Sequence, residues 1–341
     1  MKRLIATLIL TCILLSGCSG QKAQEMKQYN ATFLTLFDTV TTIVGRAEDA
    51  DTFRARAQSV HDALLEYHQL FDVYNDYEGL NNLKTINDNA GKAPVVVDGR
   101  IIALLKDCKA YHEATFGKVN PAMGSVLLLW HEARNDGLND PANAYLPKQE
   151  KLEEAAIHMD FDAVQVDEEN STVFITDPAL RLDVGAVAKG WSVQKVCESA
   201  PEGLLISVGG NVCATGPKDA NGTPWTVGVT NPDGGENYLH TLYLSKGSVV
   251  TSGDYQRNYA VDGKLYHHII DPETLYPSEY WRSVTIVHED SGLADALSTA
   301  LFLLEQEDGQ KLLDQFGAKA LWVDMEGNLL YSPGFEDLIR N

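Results

Sequence analysis

"SVTIVHEDSGLADALSTALFLL", residues 283–304, joins a strand pattern to a helix pattern within one segment. Residues 283–289 are rich in Val, Thr and Ile and predict a strand, and residues 293–306 predict a helix. Asp295 and Thr299 are i and i+4, which places a carboxylate and a hydroxyl on one face near the helix start. Hard oxygen ligands of this kind suit Mg²⁺. An acid here also serves the helix dipole and a Thr also simply packs, so spacing alone leaves both interpretations open.

The segments on either side mix helices and strands. Helices are predicted over 51–71 and 99–113, and loop chemistry fills 81–94. Strands or hairpins are predicted over 32–45, 164–176, 180–184, 204–216, 225–230, 239–245, 247–253 and 258–270. Because these elements do not follow strict strand–helix–strand alternation, they predict an α+β fold with no internal linker from residue 31 to residue 341.

The charge balance argues against one class of partner. The 341 residues include 27 Lys and Arg against 48 Asp and Glu, which gives a formal net charge of −21. No nucleic-acid partner is expected, because neutralising phosphates needs clustered cations. An anionic ligand would need backbone amides or a cation to offset the field of the protein.

The first residues carry the pattern of an export signal. Lys2-Arg3 precede about a dozen apolar residues, short of the ~20 that a spanning helix needs. The run Leu15-Ser16-Gly17-Cys18 then resembles a bacterial lipobox. We expect a lipoprotein signal peptide over 1–17, a lipidated Cys18 and tether over 18–30, and one domain over 31–341. The protein would then be extracytoplasmic and lipid-anchored to the cell membrane, with an ordinary signal peptide or an uncleaved anchor as the alternative.

Three cysteines fall in the predicted domain: Cys108, Cys197 and Cys213. An odd count in an exported protein leaves at least one free thiol. None belongs to a CxxC pair or to a metal-like spacing with His, so we expect all three to be buried small hydrophobic residues.

A glycine-rich turn, "DVGAVAKGW" over 183–191, follows the predicted strand 180–184 and opens a helix through Val196. It fails as a P-loop, because Trp191 follows Gly190 where the motif requires Lys and then Ser or Thr. Such a turn can aim backbone amides and carbonyls at a ligand, with Lys189 facing the same space. An ordinary strand-to-helix turn is the alternative.

A pair of histidines stands in "LYHHIIDPETLYP", residues 265–277. On a strand, the rings of His267 and His268 would point to opposite faces, which argues against a shared zinc ion. No Gly-x-Ser-x-Gly motif supplies a serine nucleophile. One histidine is therefore either a proton acceptor or a structural residue, and spacing does not decide between the two.

Seven segments in order resemble the ApbE family, whose members are bacterial FAD:protein FMN transferases and frequently exported lipoproteins. The resemblance covers essentially everything from residue 31 onward. The segments are "FDTVTTI", "FDVYNDYEGLNNLKTIN", "DVGAVAKGW", "ISVGGNV", "TSGDYQRNYAVDGKLYHHIIDPETLYP", "SVTIVHEDSGLADALSTALFLL" and "LLYSPGF".

The resemblance implies a T-fold-like α+β fold of duplicated mixed sheets with packed helices. It also implies a Mg²⁺-dependent reaction with FAD. FMN would pass through a phosphoester bond to a Thr or Ser of an exported flavoprotein subunit of a membrane redox complex, with release of AMP. The alternatives are an FAD pyrophosphatase that gives FMN and AMP, and a non-catalytic flavin-binding lipoprotein.

The resemblance also assigns site residues. It implies that His268 is the catalytic base, while His267 points away. The implied metal ligands are the carbonyl of Ala186, the side chains of Asp295 and Thr299 and, more loosely, Ser298. The implied FAD contacts are Phe37, Tyr74, Thr115, Phe116, Gly117, Asp183, Lys189 and Ile270. At 115–117 this chain has "TFG" where the family pattern has "AFD", which leaves no side-chain role for Gly117.

Overall fold

The computed structural model describes residues 26–235 and 237–340. The predicted signal peptide, Cys18 and most of the tether lie outside this range. The helices are α1 (Ala50–Phe71), α2 (Leu83–Asp88), α3 (Gly99–Ala114), α4 (Gly124–Asn139), α5 (Gln149–Ala156), α6 (Ala188–Ser199), α7 (Ser291–Phe302) and α8 (Gln306–Phe316). The strands are β1 (Lys27–Phe33), β2 (Thr41–Ala47), β3 (Val95–Val96), β4 (Val164–Asp167), β5 (Thr172–Ile175), β6 (Leu204–Val208), β7 (Asn211–Ala214), β8 (Trp225–Val229), β9 (His240–Leu244), β10 (Gly247–Gly253), β11 (Tyr259–Val261), β12 (Lys264–Tyr266), β13 (Trp281–His288), β14 (Lys319–Asp324) and β15 (Leu329–Tyr331).

An antiparallel sheet of eight strands, in the order β1-β2-β6-β7-β10-β13-β14-β15, forms the centre of the fold. Its two faces are both covered, because neighbouring side chains of a strand point to opposite faces. Val250 packs in the same cluster as Leu297 of α7. The adjacent Val249 packs in the cluster of Trp225 and Leu242, from the hairpin β8–β9. The predicted α+β class is confirmed.

The elements that carry the clearest periodicity form as predicted. Helices α1 and α3 agree with the predictions over 51–71 and 99–113 to within one residue at each end. The hairpin β4–β5 lies within 164–176 as expected. No helix in the described part of the chain combines the length and the apolar content needed to cross a membrane.

The single strand predicted over 32–45 is wrong. Phe37 and Asp38 both have φ of 52°, a left-handed conformation, within a short 3₁₀ turn over Leu36–Asp38. This turn reverses the chain, so that β1 and β2 pair antiparallel with Phe33 opposite Thr41. Residues 27–30, assigned to the tether, lie in β1, and the folded part starts before residue 31.

Two further predictions failed where side chains replace backbone partners. The stretch 81–94, predicted as loop, contains α2, which Asn82 starts by a capping box with Thr85. The strand predicted over 180–184 is reduced to one bridge between Met123 and Arg181. The Asn87 side chain occupies both the N–H and the carbonyl of Leu182, at 2.7 and 2.9 Å, where a strand neighbour would bind.

The cysteines behave as small hydrophobic residues. Cys108 and Cys213 are buried and Cys197 is half-buried, and all three are free thiols. Burial raises the pKa of the Cys108 thiol. We assign no reactive role to them.

Helices α6 and α7 lie close together at Gly190, in the N-terminal turn of α6. A Cβ atom at this position would collide with the carbonyl oxygen of Ser291 and with the Cβ of Asp295. The backbone N–H of Gly190 donates a 2.8 Å hydrogen bond to Oδ2 of Asp295. This contact fixes the distance between the two helices.

Replacement of Gly190 by Ala should destabilise the protein. Alanine favours helix formation, but the added methyl group has no space, so we expect the free energy of unfolding to fall by about 1–3 kcal/mol. Chemical denaturation would measure it. Gly99→Ala is the matched control, because a Cβ there, at the start of α3, meets nothing within 4 Å. Equal denaturation midpoints for the two variants would contradict this packing constraint.

Candidate active site

A cavity of about 290 Å³ lies where α4, α6, α7 and the segment after β12 meet. Eight of the residues singled out from the sequence line it: Tyr74, Asp183, Ala186, Lys189, His268, Ile270, Asp295 and Thr299. These positions are spread over more than two hundred residues of sequence, so the tertiary fold alone gathers them.

Asp295 is the buried acid of this cavity. Its residue is 3% exposed, and Oδ2 lies 3.6 Å from Nζ of Lys189 in addition to accepting from Gly190. Burying a charge is costly unless it is paired, and here one cation and one backbone amide compensate it. Lys189 also donates to the carbonyl of Gly185 at 3.4 Å, which ties the glycine-rich turn to α7.

The oxygen donors in the cavity fit a small hard cation. Asp295 and Thr299 lie one turn apart on α7, and Ala186 lines the same cavity. Within residues 26–235 and 237–340 no cluster of three or more His, Cys, Asp or Glu side chains could hold a metal. An ion here would therefore depend on one carboxylate and neutral oxygens, a set that suits Mg²⁺.

Ser298 does not join this set. It is fully buried and is not among the residues that line the cavity. Its hydroxyl bonds to the hydroxyl of Ser252 at 2.8 Å and donates to the backbone carbonyl of Asp295 at 2.9 Å. Ser298 therefore holds α7 against β10, and its implied ligand role has no support in this geometry.

The two histidines do not lie on a strand, contrary to the sequence prediction, because β12 ends at Tyr266. His267 is buried, with both ring nitrogens bonded to backbone: Nε2 donates to the carbonyl of Ser278 at 2.8 Å, and Nδ1 accepts from Ile269 at 3.2 Å. These bonds end the ladder after Tyr266. His267 is a structural residue.

His268 is the histidine that remains free to react. It lines the cavity, and its enclosed Nδ1 has no hydrogen-bond partner among the described residues. Burial, reinforced by the positive charges of Arg257 and Lys189, lowers the pKa of His268 from 6.5 to about 3. The imidazole is therefore neutral at physiological pH, as a proton acceptor must be.

The cavity lining also combines an aromatic stack with a half-buried acid. The rings of Tyr74 and His131 are stacked with centroids 4.9 Å apart. Asp183 accepts from the backbone N–H of Gly185 at 2.8 Å, and burial raises the pKa of its carboxyl. A planar group beside Tyr74 would meet both a stacking surface and polar partners.

Four predicted FAD contacts lie outside the cavity lining. Phe37 packs in the cluster of α1 and β2, Thr115 is buried with its hydroxyl bonded to the carbonyl of Tyr111, Phe116 is 74% exposed, and Gly117 has φ of 80°. Thr115, Phe116 and Gly117 lie in the turn after α3. The cavity is lined instead by the next residues, 118–121.

The sequence analysis missed several polar residues of the lining. They are Lys118, Asn120, His131, Arg134, Asn211 and Arg257. Lys118 is buried and bonds to both carboxylate oxygens of Asp271, at 3.1 and 3.2 Å. No spacing in the sequence marks these residues as a group, because they come from α4, β7 and the segments that follow α3 and β10.

The antiparallel α+β fold gathers an acid, a cation, a neutral imidazole and an aromatic stack in one cavity, which suits a polar ligand with an aromatic part. A model of the ApbE family matches residues 37–322, and the chain belongs to the ApbE family.

Relatives and solved structures agree with this assignment. A Treponema pallidum protein named FAD:protein FMN transferase is 32% identical over 97% of this chain and 94% of its own. A Klebsiella pneumoniae protein of the same name is 32% identical over 75% of this chain and 80% of its own. The crystal structure of the ApbE protein of Thermotoga maritima superimposes with a TM-score of 0.80 at 31% identity, over 92% of this chain and 100% of that one.

Protein stability should depend on pH through His268. The folded protein binds fewer protons at this residue than the unfolded chain between pH 6.5 and about 3, so the free energy of unfolding falls as the pH is lowered through that window. We expect the stability of the wild type relative to His268→Gln to fall by about 2 kcal/mol between neutral pH and about pH 4.5. The raised pKa of Asp183 acts in the opposite direction, but it is common to both proteins. A pH-independent difference in urea denaturation would contradict a neutral enclosed His268.

Proposed function

We propose that this protein is an FAD:protein FMN transferase, which moves FMN from FAD to a Thr or Ser hydroxyl of another protein and releases AMP. The observation that carries the proposal is a neutral His268 in the same cavity as Asp295 and Thr299, with an enclosed Nδ1 that has no hydrogen-bond partner among the described residues. The names of relatives that are 32% identical support it.

The residues of the cavity would divide the binding of FAD between them. Tyr74, stacked on His131, offers a surface to an aromatic ring, and Asp183 offers a carboxyl group to ribose or ring nitrogens. Ile270 is 4% exposed and supplies an apolar wall. Lys189 offers a positive charge to a phosphate oxygen.

Magnesium would be held by the side chains of Asp295 and Thr299 and by the carbonyl of Ala186. When bound, Mg²⁺ neutralises charge on the diphosphate and on the departing phosphate. Lys189, which lies 3.6 Å from Oδ2 of Asp295, keeps the carboxylate compensated when no ion is present.

His268 would accept the proton of the acceptor hydroxyl. The hydroxyl oxygen attacks the phosphorus of the FMN half, the bond from this phosphorus to the bridging oxygen breaks, and that oxygen leaves with AMP. Proton transfer by a positioned base is worth about 10²–10⁴-fold in rate. A substrate diphosphate near His268 would also raise its pKa toward the range of an effective base.

The acceptor and the location belong to the same proposal. A lipid on Cys18 would hold the enzyme outside the cytoplasm, on the bacterial cell membrane. Exported flavoprotein subunits of membrane redox complexes are acceptors that would be reached there.

Acceptor labelling tests the function directly. The full chain in detergent is incubated with FAD, Mg²⁺ and a candidate exported flavoprotein that carries an acceptor Thr. We expect an increase in the intact mass of the acceptor that equals FMN less water, one AMP per label, and neither product with EDTA. Free FMN and AMP without labelling would favour the pyrophosphatase, and bound but unchanged FAD would favour a binding protein.

Asp295→Asn should remove the response to the metal. The amide is a weaker ligand than the carboxylate, so we expect the transfer rate to fall by about 10²-fold or more and the Mg²⁺ concentration for half-maximal rate to rise. Steady-state rates across a Mg²⁺ titration measure both.

Asp314→Asn is the control for this substitution, because Asp314 is an exposed acid of α8. If both variants kept the Mg²⁺ response of the wild type, Asp295 would not be a metal ligand.

A further inference from the structure

Two arginines of the cavity have no carboxylate partner. Arg134 is half-buried on α4, and Arg257 is exposed and follows β10. Among the described residues neither forms an ion pair, although the chain has 48 acidic residues. Asp38 and Asp183 line the same cavity without pairing with either guanidinium. Two cations left unpaired in an acidic protein favour an external anion.

Arg134 is held in position by its own helix. Its Nη2 donates to Nδ1 of His131 at 3.1 Å, and Nε2 of His131 bonds to the side chain of Asn135 at 2.8 Å. The stack with Tyr74 fixes the plane of the His131 ring. One guanidinium nitrogen is thereby anchored, and the remaining N–H groups stay available to a ligand.

Arg257 is held by a different part of the chain. Its backbone φ is 45°, a left-handed conformation that costs energy in a residue other than glycine. Its Nη2 donates to the backbone carbonyl of Phe37 at 3.1 Å. The strained conformation persists because this contact and the neighbouring strand ends define it.

The two guanidinium groups affect each other across the cavity. Burial, and then the charge of Arg257, lower the pKa of Arg134. An anion with several oxygens would relieve this repulsion.

We infer that Arg134 and Arg257 form a second phosphate-binding wall, which binds the phosphates of a dinucleotide without the metal. The identity of the ligand as FAD rests on the proposed function. The two arginines supply affinity through charge-assisted hydrogen bonds, whereas Asp295, Thr299 and Ala186 supply the metal-dependent chemistry.

The test compares FAD with riboflavin, which carries the same ring system but no phosphate. Flavin fluorescence gives Kd for the full chain in detergent with EDTA. We expect the wild type to bind FAD more tightly than riboflavin. Arg134→Gln and Arg257→Gln should each raise the Kd for FAD about tenfold, while the Kd for riboflavin should change by less than about twofold. Both should also reduce the dependence of FAD binding on salt.

Two controls separate recognition from folding. Arg134→Lys keeps the charge and should recover part of the FAD affinity. Arg181→Gln removes an exposed arginine outside the cavity lining and should change the affinity for neither FAD nor riboflavin.

Three results would overturn the inference: unchanged FAD affinity in both Gln variants, equal weakening of FAD and riboflavin, or a wild type that without metal binds FAD no better than riboflavin. Because no transfer step is measured, a failed labelling experiment would leave this result intact.

Discussion

The contact between Gly190 and Asp295 is the constraint on which the site depends. The 2.8 Å bond from the Gly190 backbone to the Asp295 carboxylate occurs only because glycine leaves space for α7. The same contact brings Lys189 beside the acid and sets the glycine-rich turn opposite Thr299. Buried between two helices, the carboxylate has little freedom to move. That rigidity prepares it to hold an ion without reorganisation.

Charge is distributed unevenly between the surface and the cavity. The chain carries a formal net charge of −21, yet Lys118, Lys189, Arg134 and Arg257 all line one cavity. Lys118 is neutralised by the carboxylates of Asp271 and Glu273, and Lys189 lies beside that of Asp295. Among the described residues, Arg134 and Arg257 form no ion pair. Such a cavity attracts an anion that the remaining surface repels. Burial is the main reason that the pKa of His268 is low and its imidazole neutral, and the positive charges of Arg257 and Lys189 reinforce it.

The accuracy of the sequence predictions follows the range of the interactions involved. Helices α1 and α3 were predicted closely because their apolar spacing reports burial along one face. The break at Phe37 was missed because its left-handed conformation leaves no mark in a run of strand-forming residues. The strand predicted over 180–184 failed because Asn87, far away in sequence, takes the backbone groups of Leu182. A distant side chain that takes the place of a strand neighbour in this way leaves no mark in the local sequence.

The sequence by itself determined the α+β class, the family resemblance and the pairing of Asp295 with Thr299 on one helix face, because these depend on local periodicity and on motif order. Only the tertiary structure decided which of the paired histidines is free, because that depends on the bonds of His267 to Ser278 and Ile269. It also decided that Arg134 and Arg257 share a cavity. Their common environment is created by packing α4 against the segment after β10, which no spacing along the chain encodes.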